Sequence, residues 1–243
     1  MDPINLHNYV QKFEGFTVGY ANSSVLNVAL KKDANALLRK GIESLLQGLS
    51  GLDAGHKTWA LIKLYYATYF FLRAELAFDD VAILRCRSIY TLAVALAQKP
   101  QKMSGKKAKG DHQATIALFS RHFAGRDVLL SQQIDTQNPY EWLRDQRDWV
   151  NYRRRDFLDD VPQDGIFSNS MSFSDQVTLY CDDQIPIYCF DHDYAALALP
   201  VKRAELSIKI ATDRRTIFEA CLAMHLSRTG HKASCKALEK CLT

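Results

Sequence analysis

The chain has 243 residues, of which 47% are hydrophobic and 24% are charged, and this average composition excludes a disordered or a fibrous protein. Its formal net charge is only +4, so attraction to nucleic acid would have to come from local clusters of basic residues. No apolar run approaches the roughly 20 residues that cross a bilayer, and the chain begins without the features of a secretory signal, which predicts a cytoplasmic protein without a membrane partner.

The first half of the chain is predicted to be helical. Leu and Ala recur at three- and four-residue spacings over residues 25–51, which predicts one or two amphipathic helices that stop at glycines. Residues 57–78 carry apolar side chains on most sides, as expected of a helix at the centre of a bundle. Residues 81–98 are predicted to form a second long helix. Residues 99–110 are predicted to form a lysine-rich loop, because proline and glycine interrupt them.

Two further helices have local start signals. Asp111 is a candidate N-cap for a helix over residues 112–123, because its short side chain can accept a hydrogen bond from a first-turn amide. Asn138 is a candidate N-cap for the next helix, and Pro139 suits the first helical position, which needs no amide donor. This second helix contains the segment YEWLRDQRDWVNYRRRDF, and its end is predicted near residues 159–165.

In the last third of the chain the helical pattern of the sequence is lost and then returns. Residues 166–191 are rich in Phe, Tyr, Ser and Asp without a sustained helical period, which predicts one or two short strands or an ordered loop. From Asp193 onward the helical pattern returns. Pro200 is expected to start or kink a helix and Gly230 to end one, and a last short helix is predicted over residues 231–242.

The arginine-rich helix carries the candidate site. Residues three and four apart share one face of a helix, so Arg144, Arg147 and Asn151 line up, while Leu143 and Val150 can point into the bundle. Arginine beside Asn, Trp and Tyr suits phosphate contact and base stacking. The alternative is an ordinary solvated helix whose arginines pair with neighbouring aspartates, and each such exposed pair would contribute about 0.3–0.5 kcal/mol.

Three segments together resemble the HEPN superfamily, a group of all-helical domains common among bacterial toxins, anti-phage defence proteins and nucleotide-linked RNases. The segments are LIKLYYATYFFLRAELAF (61–78), KGDHQ (109–113) and LRDQRDWVNYR (143–153), and the resemblance covers about residues 50–160. It implies a mainly α fold, in which a HEPN-like helical bundle carries a small strand or loop insertion and C-terminal helices.

The domain organisation is interpreted on the same basis. Residues 1–160 would form a HEPN-like helical domain with an N-terminal helical extension. Residues 161–243 would form a strand or loop segment and helices that pack on the same core. The chain contains no internal repeat and no low-complexity linker that would separate the two parts.

The catalytic motif of the family can be placed on this chain. Catalytic HEPN domains carry an arginine, often followed by a polar residue, and then a histidine roughly four to six residues later on the same helix. Two such helices usually meet across a dimer interface. The motif places the arginine at Arg147, the polar residue at Asp148 and the histidine position at Tyr152. The resemblance therefore implies that the catalytic residues are Arg147, Tyr152, Asn151 and Arg144.

The tyrosine at position 152 leaves the activity open. Histidine titrates near neutrality and can activate a 2′-hydroxyl or protonate a leaving oxygen, whereas tyrosine, with a pKa of about 10, is a poorer base at pH 7. If RNA is cleaved, the arginines would stabilise the phosphate charge in the transition state. Tyr152 would then orient the substrate or donate a proton, or a histidine such as His112 or His122 would come close.

A second group of residues is predicted to bind nucleic acid through the phosphate charge. These residues are Lys106, Lys107, Lys109, His112, Arg153 and Arg154. A lysine loop can equally serve solvation alone, and His112 can be a polar first-turn residue. The two interpretations differ in salt dependence, because phosphate neutralisation releases counterions.

Two functional hypotheses stay open from the sequence. In the first, the chain is a HEPN-like component of a bacterial defence or toxin system that binds RNA or cleaves it as a metal-independent endoribonuclease. In the second, it is a non-catalytic subunit that forms a homodimer or joins a larger ATPase or nuclease complex through the helical bundle. No cofactor or metal is expected, because GxxxxGK[ST], GxGxxG and GxSxG are absent and the six cysteines lack the paired spacing of a zinc site.

Overall fold

The computed structural model describes residues 3–105, 110–153, 166–167, 170–210, 214–230 and 232–242. Within these residues the chain is mainly α-helical with one three-stranded sheet, so the predicted mainly α fold class is confirmed. The helices are α1 (Pro3–Glu14), α2 (Tyr20–Asp53), α3 (Lys57–Phe78), α4 (Asp111–His122), α5 (Pro139–Asp148), α6 (Phe173–Asp182), α7 (Ala195–Ile210), α8 (Arg214–Thr229) and α9 (Ala233–Leu242). The strands are β1 (Val81–Cys86), β2 (Ser88–Ala93) and β3 (Gln101–Lys102). Every described helix is too short or too polar to cross a membrane.

The chain divides into two compact units, each built from two segments. The first unit contains Met1–Leu37 and Leu72–His122, and the second contains Leu38–Phe71 and Phe123–Thr243. Both α2 and α3 contribute residues to each unit. The domain boundary predicted at residue 160 lies outside the described residues and stays a prediction.

Helix α3 has the predicted bounds, Lys57–Phe78. Apolar side chains cover most of its faces, and this explains why it is buried almost all round. Its fully buried large residues in the second unit include Leu64, Tyr65 and Phe71. The prediction of a central helix at this position is confirmed.

Helix α2 packs closely on α3 in the second unit, because two glycines of α2 leave room for side chains of α3. A Cβ added at Gly41 would lie 2.5 Å from the Phe71 ring, and one at Gly48 would lie 3.0 Å from Leu64. The prediction that α2 stops at its glycines is wrong, since the helix continues to Asp53. These glycines allow close helix packing instead of ending the helix.

A β-hairpin over residues 81–93 takes the place of the long helix predicted over residues 81–98, so that prediction is wrong. Strands β1 and β2 pair antiparallel up to Cys86 opposite Ser88, and Arg87 alone makes the turn. Arg87 has a φ of +59°, a left-handed conformation that usually favours glycine or asparagine. Residues 89–92 are all buried, so β2 lacks the alternation of a half-exposed strand. Neither a turn signal nor a strand period was present to distinguish the hairpin from a helix.

The segment predicted as strands or loop, residues 166–191, contains helix α6, so the strand prediction is wrong. Ser172 caps this helix, because its hydroxyl oxygen accepts a hydrogen bond of 3.2 Å from the amide of Asp175. The Ser172 hydroxyl in turn donates to the Asp175 carboxylate at 2.6 Å. A capped first turn of this kind outweighs the low helix preference of the aromatic and hydroxyl residues around it.

The remaining helix predictions are confirmed with two changes, except that the helix end predicted near residues 159–165 lies outside the described residues and stays a prediction. Helix α4 begins at Asp111, but the carbonyl of Gly110 accepts the first helical bond, so Asp111 is the first helical residue and not the N-cap. Pro200 lies inside α7 and not at its start. Helix α8 ends at Thr229, and Gly230 follows it with a φ of +73°.

Two polar contacts connect α2 to the last two helices of the second unit. Buried Ser50 on α2 has its hydroxyl 2.7 Å from Nε2 of His225 on α8. Asp53, at the end of α2, accepts hydrogen bonds from the amide and the hydroxyl of Ser234 at the start of α9, at 3.1 and 2.5 Å. The ends of three helices are therefore joined by specific hydrogen bonds as well as by apolar packing.

His225 is expected to make stability fall as the pH drops below about 6.5. Burial and the nearby Arg228 lower the pKa of His225 in the folded protein. Between the two pKa values, His225 is protonated in the unfolded chain and neutral in the folded protein, so a lower pH favours unfolding. Urea unfolding at pH 7.5 and 5.5 measures this effect, and the loss should be smaller in His225→Gln than in the wild type. Equal losses in the two proteins would contradict the assignment.

Candidate functional site

The site helix α5 begins where the sequence predicts. The Asn138 side-chain oxygen accepts hydrogen bonds from the amides of Tyr140 and Glu141 at 3.0 and 3.4 Å, and Pro139 occupies the first turn. After Asp148 the chain continues as a π-helical turn over Trp149–Arg153. Turns of this type widen the helix and are frequent at functional sites. The motif positions therefore span a change from α-helix to π-helix.

Arg147 is enclosed by two tyrosines of α3. Its guanidinium carbon lies 5.0 Å from the centre of the Tyr65 ring and 5.2 Å from that of Tyr66, within cation–π range. Nη2 donates a 2.9 Å hydrogen bond to the Tyr66 hydroxyl, and Nη1 donates to the carboxylate of Asp148 at 2.5 Å. Only 8% of the side chain is exposed. We call Arg147, Tyr65, Tyr66 and Asp148 the arginine cluster.

The electrostatics of the arginine cluster hold Arg147 charged and Tyr65 neutral. Burial opposes the charge of Arg147, but the hydrogen bond to Asp148 and the two tyrosines outweigh it, and the pKa of Arg147 is raised. Burial also raises the pKa of Tyr65, although the charge of Arg147 partly offsets this effect. Tyr65 therefore cannot act as a base near neutral pH. The cluster is suited to holding a cation in place.

The other predicted catalytic residues lie in different environments. Tyr152 is 76% exposed on the π-helical turn, and Asn151 is half-buried. Arg144 is 18% exposed and donates through Nε and Nη2 to the adjacent Asp145 at 3.0 and 2.7 Å. Among the described residues, no hydrogen bond joins Arg147 to Asn151 or Tyr152. The structure thus brings Arg147 to α3 and leaves Tyr152 facing solvent.

A signal for the burial of Arg147 was present in the sequence. Leu143, Arg147 and Val150 stand at positions i, i+4 and i+7, which is the spacing of a buried helix face. Leu143 and Val150 were predicted to point into the bundle, and both are buried. The same spacing aligns Arg147 with Arg144 and Asn151 at the edge of that face. Arg147 was predicted to lie at the exposed edge of the helix, whereas the structure places it on the buried face.

The predicted nucleic-acid-binding residues are largely outside the described part of the chain. Lys106, Lys107, Lys109 and Arg154 are not among the described residues, and neither is the side chain of Arg153. His112 is described, and it is half-buried at the second position of α4.

The two histidines considered as proton-transfer groups belong to the first unit, whereas the arginine cluster belongs to the second. His112 lies in the first turn of α4, and His122 ends that helix. Nε2 of His122 lies 2.5 Å from a carboxylate oxygen of Asp79. His122 thus already has a carboxylate partner within its own unit.

A buried ion pair that sequence reasoning missed fixes the start of α5. Nη1 of Arg203 on α7 donates to Asp127 at 2.6 Å and to the Tyr140 hydroxyl at 2.8 Å. The Tyr140 hydroxyl donates to the same Asp127 oxygen at 2.8 Å. The side chains of Asp127 and Arg203 are only 4% and 3% exposed. No local pattern could have revealed this contact, because 76 positions separate Asp127 from Arg203.

A second contact anchors the middle of α5 to a turn. Asp135 and Thr136 have φ values of +48° and +65°, which are unusual for residues other than glycine. The Asp135 carboxylate accepts from Trp142 of α5 at 3.2 Å and lies 2.5 Å from Nδ1 of His192. The hydrogen bond from His192 lowers the pKa of Asp135. The first two turns of α5 are thus held at both Tyr140 and Trp142.

The described residues contain no group of three or more His, Cys, Asp or Glu side chains that could hold a metal ion. All six cysteines fall within the described residues as free thiols. Cys189 is buried, and His192 pairs with Asp135.

No protein-family model, curated protein or solved structure matches this chain. The resemblance to the HEPN superfamily therefore stays a prediction that depends on the quoted segments. The functional proposal therefore depends on the geometry of the arginine cluster.

Proposed function

We propose that this chain is a catalytically silent HEPN-like subunit of a bacterial defence or toxin system. It assembles through its helical bundle with itself or with a larger ATPase or nuclease partner. One observation supports this choice over catalysis, namely the enclosure of Arg147. The arginine at the catalytic position of the motif is occupied by contacts within the bundle.

The chemistry of RNA cleavage makes this observation relevant. An arginine that stabilises a phosphate transition state must place its N–H donors about 2.7–3.1 Å from the phosphate oxygens. Both terminal nitrogens of Arg147 already donate, one to Asp148 and one to Tyr66. The remaining N–H groups belong to a side chain that is only 8% exposed, so a phosphate has little access to them. Arg147 is thus better placed to hold α5 on α3 than to act on RNA.

Metal-independent cleavage of RNA is the second candidate, and one observation favours it. The Nε–H group of Arg147 is buried and has no hydrogen-bond acceptor among the described residues. A buried donor without an acceptor is costly, and such donors are often found where a ligand completes the bond. In this candidate, Nε would donate to a phosphate oxygen and the exposed Tyr152 would orient the RNA.

Incubation of the purified protein with tRNA and total RNA in EDTA separates the two candidates. Intact RNA is expected with the wild type, because the arginine is enclosed and the histidine position holds tyrosine. Tyr152→Phe is the matched control, since Tyr152 is exposed and loses only its hydroxyl. RNA fragments that form with the wild type and not with Tyr152→Phe would overturn the silent-subunit proposal. Fragments of equal yield with the wild type, Tyr152→Phe and Arg147→Ala would identify a contaminating nuclease.

A further inference from the structure

The first unit contains a cavity whose lining is basic and rich in hydrogen-bond donors. Its volume is about 450 Å³. Strands β2 and β3 supply Thr91, Gln101 and Lys102, and α4 supplies Leu118 and Arg121. The described lining residues include no aspartate or glutamate, so their formal charge is positive.

Lys102 and Arg121 are the two cations among the described lining residues of this cavity. Lys102 and Arg121 are both exposed, and neither forms an ion pair with any described residue. Arg85 of the same unit, by contrast, pairs with Asp111 at 2.8 Å. Two unpaired cations beside one cavity raise the local concentration of anions. An arginine and a lysine together suit a phosphate group, because the guanidinium can bind two oxygens and the ammonium acts as a point charge.

The other lining groups divide into donors and an apolar wall. The Thr91 and Ser104 hydroxyls and the Gln101 amide can donate to oxygen atoms. Met103 and Leu118 supply apolar surface on which a flat ring could pack. A volume of a few hundred Å³ is typical of sites for small ligands. The cavity therefore fits a phosphate joined to an apolar or aromatic body.

We infer that this cavity binds a small phosphorylated ligand of the nucleoside monophosphate class. Lys102 and Arg121 contact the phosphate, and the apolar wall packs against the base or sugar. The site uses no residue of the arginine cluster and lies in the other unit. It can therefore exist whether or not the chain is catalytically silent, and each proposal can fail alone.

Calorimetric titration of the full chain with AMP and GMP tests the site. At least one of the two is expected to bind with 1:1 stoichiometry. The matching nucleoside should bind at least about ten-fold more weakly, because it lacks the phosphate. Lys102→Gln and Arg121→Gln should each weaken binding about ten-fold, which is the loss of one charge-assisted hydrogen bond. Both residues are exposed, so neither variant should disturb folding, and a thermal melt verifies this.

Lys32→Gln is the matched control, because Lys32 is an exposed cation of the same unit that does not line the cavity. The affinity of Lys32→Gln for AMP or GMP should equal that of the wild type. Equal weakening by Lys32→Gln would reveal a general charge effect and overturn the inference. The inference would also be overturned if neither AMP nor GMP bound at millimolar concentration. Binding of a 5′-phosphorylated RNA oligonucleotide that Lys102→Gln weakens, with no binding of either monophosphate, would assign the cavity to RNA and equally contradict the proposal.

Discussion

Replacement of Arg147 with alanine is expected to lower the free energy of unfolding by about 2–4 kcal/mol. The change removes the hydrogen bond to Tyr66 and the contact with the Tyr65 ring, and it leaves a space under α5. Part of the loss comes from the buried stem of the side chain and not from its charge. Urea unfolding followed by circular dichroism measures the difference from the wild type.

Arg144→Ala is the matched control for this prediction. Arg144 lies on the same helix, three positions earlier, and its ion-pair partner among the described residues is the half-exposed Asp145. Partly exposed pairs of this kind contribute at most about 1 kcal/mol, so Arg144→Ala should unfold close to the wild type. If the two variants lost equal stability, Arg147 would not be the anchor that its contacts indicate, and its enclosure would say nothing against catalysis.

Replacement of Asp127 with asparagine is expected to cost about 3–5 kcal/mol, the largest loss of any single change considered. The variant keeps the size of the side chain but removes its charge, so Arg203 becomes a buried cation without its carboxylate. The Tyr140 hydroxyl also loses a charged acceptor. Breaking a buried ion pair by removal of one partner is more damaging than replacing both partners with apolar residues.

The prediction for Asp127 is checked by urea unfolding and by the thermal midpoint. Asp145→Asn is the control, because Asp145 also pairs with an arginine but is 45% exposed, and its loss should stay below about 1 kcal/mol. A loss below 1 kcal/mol in Asp127→Asn as well would mean that water or a rearrangement compensates Arg203. In that case the Asp127–Arg203 pair would not be what positions α5.

Local signals predicted the helices that depend on local chemistry. The start of α5 was predictable, because Asn138 and Pro139 carry the cap and the first turn within their own segment. The apolar pattern of residues 57–78 likewise sufficed for α3. The hairpin of β1 and β2 was not predictable, because its turn uses Arg87 in a conformation that an arginine rarely adopts.

For the candidate site, too, some features could be predicted from the sequence and others could not. The motif positions could be named from the sequence, and the structure describes the side chains of Arg144, Arg147, Asn151 and Tyr152. The exposure of these side chains could not be predicted, since it depends on which face of α5 meets α3. Tyr66 lies 81 positions from Arg147, and only the folded bundle brings the two together. The spacing of Leu143, Arg147 and Val150 was the one local indication that the arginine is buried.

The enclosure of Arg147 by α3 is tested most directly by a double-mutant cycle between Arg147→Ala and Tyr66→Phe. The free energies of unfolding of the wild type, the two single variants and the double variant give the coupling between the guanidinium and the hydroxyl. A favourable coupling of about 1–2 kcal/mol is expected for a hydrogen bond from a charged donor at 2.9 Å. A coupling of zero within error would show that Arg147 does not hold this partner in solution, and the arginine would then be free to meet a phosphate.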